Sequence, residues 1–508
     1  MDTEFIQKLR LERLLIALSL ACALGILAFA GGMGLTKSRL GAVFIAVGIA
    51  ALSGWVFWRH PVVPLDDEAG SPFLKVISGV ATVAALFQLA RLCVFIVNPI
   101  DVGYGFGPSR GLGVTVDHSC LSAYFVAGQS AARVPNVYEY ELYSFPSVSP
   151  TALRKPRRIE SFNVDAYEYP PPFLLLPRAL MIVVPEFLRF RMIWFALNGG
   201  VLLIGLLAVA RALGPVAGRR ALLLSPLVLA SDFTIGTLQV GNLQAVVFAI
   251  AMLGMVLVSQ RRYAAGGALL AFATVSKLFP GMLLVYLLVR REWRALAWTA
   301  GLTVAMVAIS LLDTGRAPYD AFFSHLSRLL GGEAFPAFRN PGAVAKNYSV
   351  PGMAFKLHLF GFPGASFAAM KIVGWIYTLI VLAITAVVAR RTLHRDEQPL
   401  AWLAILILAS LRSPFLPGYA IIPVLWLLTL LAAVVAPRFR TVRTLCFVLV
   451  AWLILNISLP QSGPDPRLIS MILLLPQAVI VILIVLALRD HREPASASAP
   501  GPTPNGYR

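Results

Sequence analysis

The sequence predicts an all-α polytopic membrane protein with about 12 to 14 transmembrane helices and a large non-cytoplasmic first loop carrying juxtamembrane helices. Two observations lead there. Of 508 residues, 58% are apolar and only 13% are charged, with a mean hydropathy of +0.79; a soluble domain of this size cannot bury that much apolar surface. The net charge of +19 stands in short basic clusters between apolar runs, which is the positive-inside pattern of a membrane protein and not a nucleic-acid footprint. The four cysteines (Cys22, Cys93, Cys120, Cys446) are scattered and form neither a disulfide framework nor a metal motif.

The elements follow in chain order. The N-terminus MDTEFIQKLRLER carries both signs of charge and leads into an apolar stretch without a small-residue cleavage site, so the first helix is expected to be retained. Long apolar runs at 14–30, 40–58, 73–97, 190–210, 242–259, 295–312, 366–389, 419–436, 441–459 and 467–488 predict spanning helices. Shorter runs at 221–231, 264–275, 279–289 and 399–411 are interrupted by Gly, Pro or polar residues and predict short or broken helices shielded by the others. The segment 173–189 is apolar, but the parity of the basic clusters requires that it not cross; it is expected to be juxtamembrane or re-entrant. With Lys8/Arg10/Arg13, Arg211/Arg219/Arg220, Arg261/Arg262, Arg290/Arg291/Arg294, Arg390/Arg391/Arg395 and Arg438/Arg440/Arg443 on the cytoplasmic side, both termini are cytoplasmic. The opposite side then receives segment 98–189, the loop 313–365 and the turn RSPFLPG. The tail 489–508, rich in Pro, Ala and Ser, is expected to be disordered.

The polar chemistry gathers on that non-cytoplasmic side. Segment 98–172 is too polar to span and too long for a plain connector. Within it Asp117 precedes SCLSAYFVAGQSAAR, whose apolar residues recur at helical spacing, as in an amphipathic helix on the membrane surface with Asp117 at its start. A carboxylate held there suits removal of a proton from a sugar hydroxyl, although Asp117 also suits a plain helix N-cap. Asp101, in the turn-like NPIDVGYG, is the competing base. Lys277 stands between apolar runs in a chain with eight lysines against 35 arginines; an ionisable group at such depth is a functional candidate, here for a lipid-borne phosphate, the alternative being a snorkelling helix-end lysine. Arg412 is a second candidate for that phosphate. Gln239 and Asn242, with Gln244, suit sugar hydroxyls, with Asn242 equally able to cap a helix. Asn347 and Tyr348 in AKNYSVPG, and Glu168 and Tyr169 in YEYPPP, are further candidates for the sugar. No P-loop, zinc or haem spacing, or dinucleotide fingerprint is present, and histidines 118, 325 and 358 are dispersed, so neither cofactor nor metal is expected.

The order of VDHSCLSAYFVAGQSAARVPNVYEY, then YEYPPPFLLLPRAL, then QVGNLQAVVFAIAMLGMVLVSQRRYAAGGALLAFATVSKLFPGMLL resembles glycosyltransferase family 87, the GT-C membrane family that contains polyprenol-phosphate-mannose-dependent α-mannosyltransferases. The resemblance spans about residues 73 to 436. It implies a GT-C-like helical bundle: residues 1–72 as an N-terminal addition, 73–488 as the catalytic domain with external loops 98–189 and 313–365. It implies transfer of a sugar, mannose in first place, from a polyprenyl-phosphate donor to a lipid or glycan acceptor outside the cytoplasm, with inversion, at a bacterial-type inner membrane. By that likeness Asp117 matches the family's acidic base, Lys277 the lysine near the donor phosphate, and Asn347-Tyr348-Ser349 the family's Asn-x-Ser element. The chain departs from the family in Leu121, where tyrosine is usual, and in Ser413-Pro414-Phe415-Leu416-Pro417-Gly418-Tyr419, which lacks the family's histidine; Arg412 or His118 is available to replace it, and Tyr419 is a further candidate for the sugar. The rival readings are a lipid-saccharide transporter or flippase, for which internal repeats are expected and none is seen, and a polymerase or ligase with a lipid-diphosphate donor, for which more external arginines are expected. A monomer is expected, with no nucleic-acid partner.

Overall fold

The computed structural model describes residues 3–63, 72–106, 116–146, 154–435, 442–459 and 465–489. The expected tail falls almost wholly outside them, as do Arg438 and Arg440. Among the described residues seven helices are long and apolar enough to cross a membrane: Glu12–Thr36, Arg39–Arg59, Pro72–Val97, Phe187–Ala212, Trp293–Thr314, Phe367–Arg390 and Pro466–Leu488. Pro215–Leu229 and Asp232–Val240 form one further candidate, bent by 64°. The remaining predicted runs appear as apolar helices of 10–17 residues, among them Gln244–Ser259, Tyr263–Ser276, Gln398–Ser410 and Gly418–Val434. By length and composition, seven or eight of the spans among the described residues reach membrane length, and several of the expected runs are shorter helices, of which Gln244–Ser259 is almost wholly buried.

Close packing of the inner helices has a visible cause. Helices Gln244–Ser259 and Tyr263–Ser276 turn back on each other through Arg261, in the left-handed region at φ 62°. They meet so closely that a Cβ on Gly266 would lie 2.8 Å from the Gly254 carbonyl oxygen. Small residues allow this backbone approach. The N-terminal helix is not a loose appendage: it packs along Phe187–Ala212 and Pro72–Val97, and the buried Glu12 pairs with both Lys75 and Arg219.

The segment 98–189 differs from expectation in three ways. Its helix, Cys120–Ser130, is buried along most of its length rather than lying on a surface. It starts at Cys120 with Ser119 as its N-cap, so Asp117 does not cap it. A small sheet that the all-α reading lacked brackets it in the chain, β1 (His118–Ser119) before the helix and β2 (Arg158–Ile159) and β3 (Phe162–Val164) after it, in the order β1-β3-β2. β1 is parallel to β3, with His118 opposite Asn163 and Ser119 opposite Val164. Strands of two or three residues give no measurable alternation, so no period-2 signal existed to read. Residues 173–189 contain the nine-residue helix Leu175–Val183 and the start of the helix Phe187–Ala212.

Arg191, 1% exposed, locks this layer to the bundle. Its Nη1 donates to the carbonyls of Phe95 and Ile96, both at 3.1 Å, satisfying acceptors left open at the end of helix Pro72–Val97. Its guanidinium lies over the rings of Phe95 and, in β3, Phe162.

Candidate active site

The bundle and the loop layer enclose a cavity of about 810 Å³. Helix direction explains its charge. Gln244 begins a helix here and Lys277 and Arg412 follow the ends of two others, whereas the opposite ends of the same helical hairpins carry Arg261/Arg262, Arg290/Arg291 and Arg390/Arg391. The candidate cations of the site thus lie away from the basic clusters.

Lys277 and Arg412 both line the cavity. Lys277 Nζ donates to Gln244 Oε1 at 2.6 Å and lies 5.3 Å from the centre of the Tyr169 ring. The Gln244 amide nitrogen is buried, without a hydrogen-bond partner among the described residues. A buried unpaired donor beside a cation is an arrangement ready for an anionic or hydroxyl-bearing ligand. Arg412 donates through Nε to Thr378 Oγ1 at 3.2 Å and through Nη1 to the Leu330 carbonyl at 3.4 Å, and stacks near Trp375.

The same cavity holds carboxylates close to Lys277. Asp165 and Glu168 line the cavity with His118, Cys120 and Tyr169. Burial, together with the neighbouring Asp165 charge, pushes the Glu168 carboxyl up to about 8 against the opposite pull of Lys277. His118 Nδ1 stands 3.4 Å from Asp165 Oδ1 and its Nε2 3.6 Å from Cys120 Sγ. Burial alone would lower the histidine's pKa; the Asp165 carboxylate and the Cys120 sulfur outweigh it and hold it well above the usual imidazole range. Tyr419 lines the cavity too, its hydroxyl 3.4 Å from Cys120 Sγ.

Several expected residues are elsewhere. Asp117 is absent from the cavity lining: its Oδ2 accepts from Asn163 Nδ2 at 2.7 Å, one residue short of His118. Asp101 is exposed and accepts from Asn98. Gln239 does not line the cavity either; its amide both donates to and accepts from the Phe106 backbone at 2.7 Å, because that buried peptide has no strand or helix to satisfy it. Asn347 is buried behind the wall, where it joins Leu416 N, Ser349 N and the Pro414 carbonyl; the Asn-x-Ser element fastens the 413–417 turn. Its neighbour Tyr348 does line the cavity. Asn242 lines the cavity; its Oδ1 accepts from Gln244 N at the helix start, and its Nδ2 donates to Cys120 Sγ at 3.4 Å. The turn before it needs Gly241, at φ 71°, where a Cβ would also press on Leu121. Asp165 and Cys120 were missed as site residues; Asp165 stands only three residues before Glu168, but nothing in the linear order joins it to His118 and Cys120.

Membrane-length helices surround a cavity lined by both cations and carboxylates. The model of glycosyltransferase family 87, the family the motifs resemble, matches residues 167–417, just under half of the chain. The matched stretch includes Glu168, Gln244, Lys277 and Arg412. No curated protein and no solved structure matches the chain.

Proposed function

We propose that the chain transfers a sugar, mannose in first place, from a polyprenyl-phosphate donor to a hydroxyl of a lipid or glycan acceptor, on the non-cytoplasmic side of a bacterial-type inner membrane. The observation that carries this reading is one cavity lined by Lys277 and Arg412 together with Asp165 and Glu168. A lipid-linked phosphate needs cations at one side of the anomeric carbon; an acceptor hydroxyl needs a carboxylate at the other.

In this reading Lys277, held by Gln244, and Arg412 neutralise the phosphate as its bond to the anomeric carbon breaks, the electrostatic contribution that is usually largest. The acceptor oxygen attacks from the opposite face, the configuration inverts, and its proton passes to a carboxylate. The sequence points to Asp117 for that role. The geometry favours Glu168, because it lines the cavity while Asp117 is engaged with Asn163, and because a base with a pKa near the working pH is the most effective. Tyr169 and Tyr348 present rings, and Asn242 an amide, to the sugar.

The test is sugar release from radiolabelled short-chain polyprenyl-phosphate-mannose by the purified full-length protein in detergent, supplied with membrane lipid extract as acceptor. Turnover that is lost in Lys277→Ala and Glu168→Gln supports the reading. Donor that binds to neither wild type nor variants overturns it. Loss in Asp117→Asn with full activity in Glu168→Gln returns the base to Asp117.

A further inference from the structure

We infer that His118, Cys120 and Asp165 form a site for a divalent transition-metal ion of borderline softness, Zn²⁺ in first place, in the lining of the cavity. The three residues offer an imidazole nitrogen, a sulfur and a carboxylate oxygen that all lie within 4.8 Å of one another. The close contacts use the two ring nitrogens separately: His118 Nδ1 is 3.4 Å from Asp165 Oδ1 and Nε2 is 3.6 Å from Cys120 Sγ. Ligand bonds of about 2.0–2.3 Å in tetrahedral geometry place ligand atoms roughly 3.3–3.8 Å apart, so a side-chain movement of about 1 Å that brings one ring nitrogen to both partners closes the set around an ion.

The small sheet builds this cluster. β1 and β3 run parallel with Ser119 opposite Val164, which brings the next residues of each segment, Cys120 and Asp165, side by side; His118 is two residues before Cys120, on the same side of an extended chain. The surroundings of the sulfur suit a thiolate ligand. Asn242 Nδ2 and the Tyr419 hydroxyl each approach Cys120 Sγ at 3.4 Å, and donors to a ligating atom hold and tune such sites. Thiolate with imidazole selects Zn²⁺ or Co²⁺ over Mg²⁺ or Ca²⁺. All three residues line the cavity, so a three-residue set leaves a coordination position facing it, as in zinc sites that act on a substrate. If the cavity is the sugar-transfer site proposed above, that position takes an acceptor hydroxyl and lowers its pKa; the binding itself does not depend on that reading.

The experiment is cobalt titration of the full-length protein in detergent after chelator treatment, followed by absorbance and by metal analysis after gel filtration. The expected result is about one Co²⁺ per chain, displaceable by Zn²⁺, with a thiolate-to-cobalt charge-transfer band in the near ultraviolet. That band disappears in Cys120→Ser, and affinity falls at least about tenfold in His118→Asn. The wild-type spectrum decides even if a variant fails to fold. Absence of a stoichiometric ion in wild type, or an ion bound without a thiolate band, overturns the site, as does binding unchanged in a folded Cys120→Ser. Since the readout is metal content and spectrum, it stays distinct from any failure to find sugar transfer.

Discussion

If Glu168 takes the acceptor's proton, pH is the sharpest perturbation. With its carboxyl raised to about 8, the ionised fraction is about 1% at pH 6 and about half at pH 8, while burial brings the Lys277 ammonium down to about 8 as well, so the single-turnover rate should rise roughly 25-fold across that interval and fall above it as Lys277 loses its charge. A base at the ordinary carboxylate value would give no rise there. Glu168→Gln should cost about 10²–10⁴ in rate and abolish the rising limb of the profile. Its stability should move the other way. The folded state holds the proton more tightly than the unfolded chain, whose value is near 4.5, so stability falls as pH rises from about 4.5 to about 8. A neutral glutamine escapes that loss, and the variant should melt higher than wild type at pH 8 and about equally at pH 4.5. The assay is rapid-quench sugar release from the radiolabelled donor, with melting followed by tryptophan fluorescence in the same detergent. A rate that is flat from pH 6 to 9, with Glu168→Gln fully active, refutes the reasoning.

Other perturbations separate the remaining roles. Lys277→Ala should lower the rate about 10²–10³-fold, the loss typical of one transition-state electrostatic contact, with donor affinity measured by equilibrium binding to divide ground-state from transition-state effects. Gln244→Leu removes the partner of Lys277 and the unpaired amide donor together; donor affinity should weaken by roughly 1.5–3 kcal/mol, and unchanged affinity would show that the amide meets no ligand. Arg191→Met leaves the carbonyls of Phe95 and Ile96 unpaired and should destabilise the protein by about 1–3 kcal/mol for each, visible as a lower melting temperature with no change in the pH profile of surviving activity.

Much of this molecule was legible in the order of its residues. The apolar runs became helices because nothing else satisfies backbone polar groups away from water. Lys277 stood out because a cation between apolar runs is costly unless it has a use, and it does line the cavity with Arg412, His118, Glu168, Tyr169 and Asn242. Tertiary structure decided which polar residues face a ligand and which face the protein. Gln239 and Asn347 have the side chains of sugar binders, yet both are turned to buried backbone groups of Phe106, Pro414 and Leu416, because an irregular buried peptide must be paired and only the folded chain shows where such peptides lie. Asp117 and Asp165 are separated the same way: one is held by Asn163, the other opens to the cavity. The meeting of His118 and Cys120 with Asp165 rests on a parallel strand pair only two residues deep. Such pairing is set by the packing of distant segments and leaves no periodicity in either, so the cluster with the richest coordination chemistry is the one that the linear sequence could not reveal.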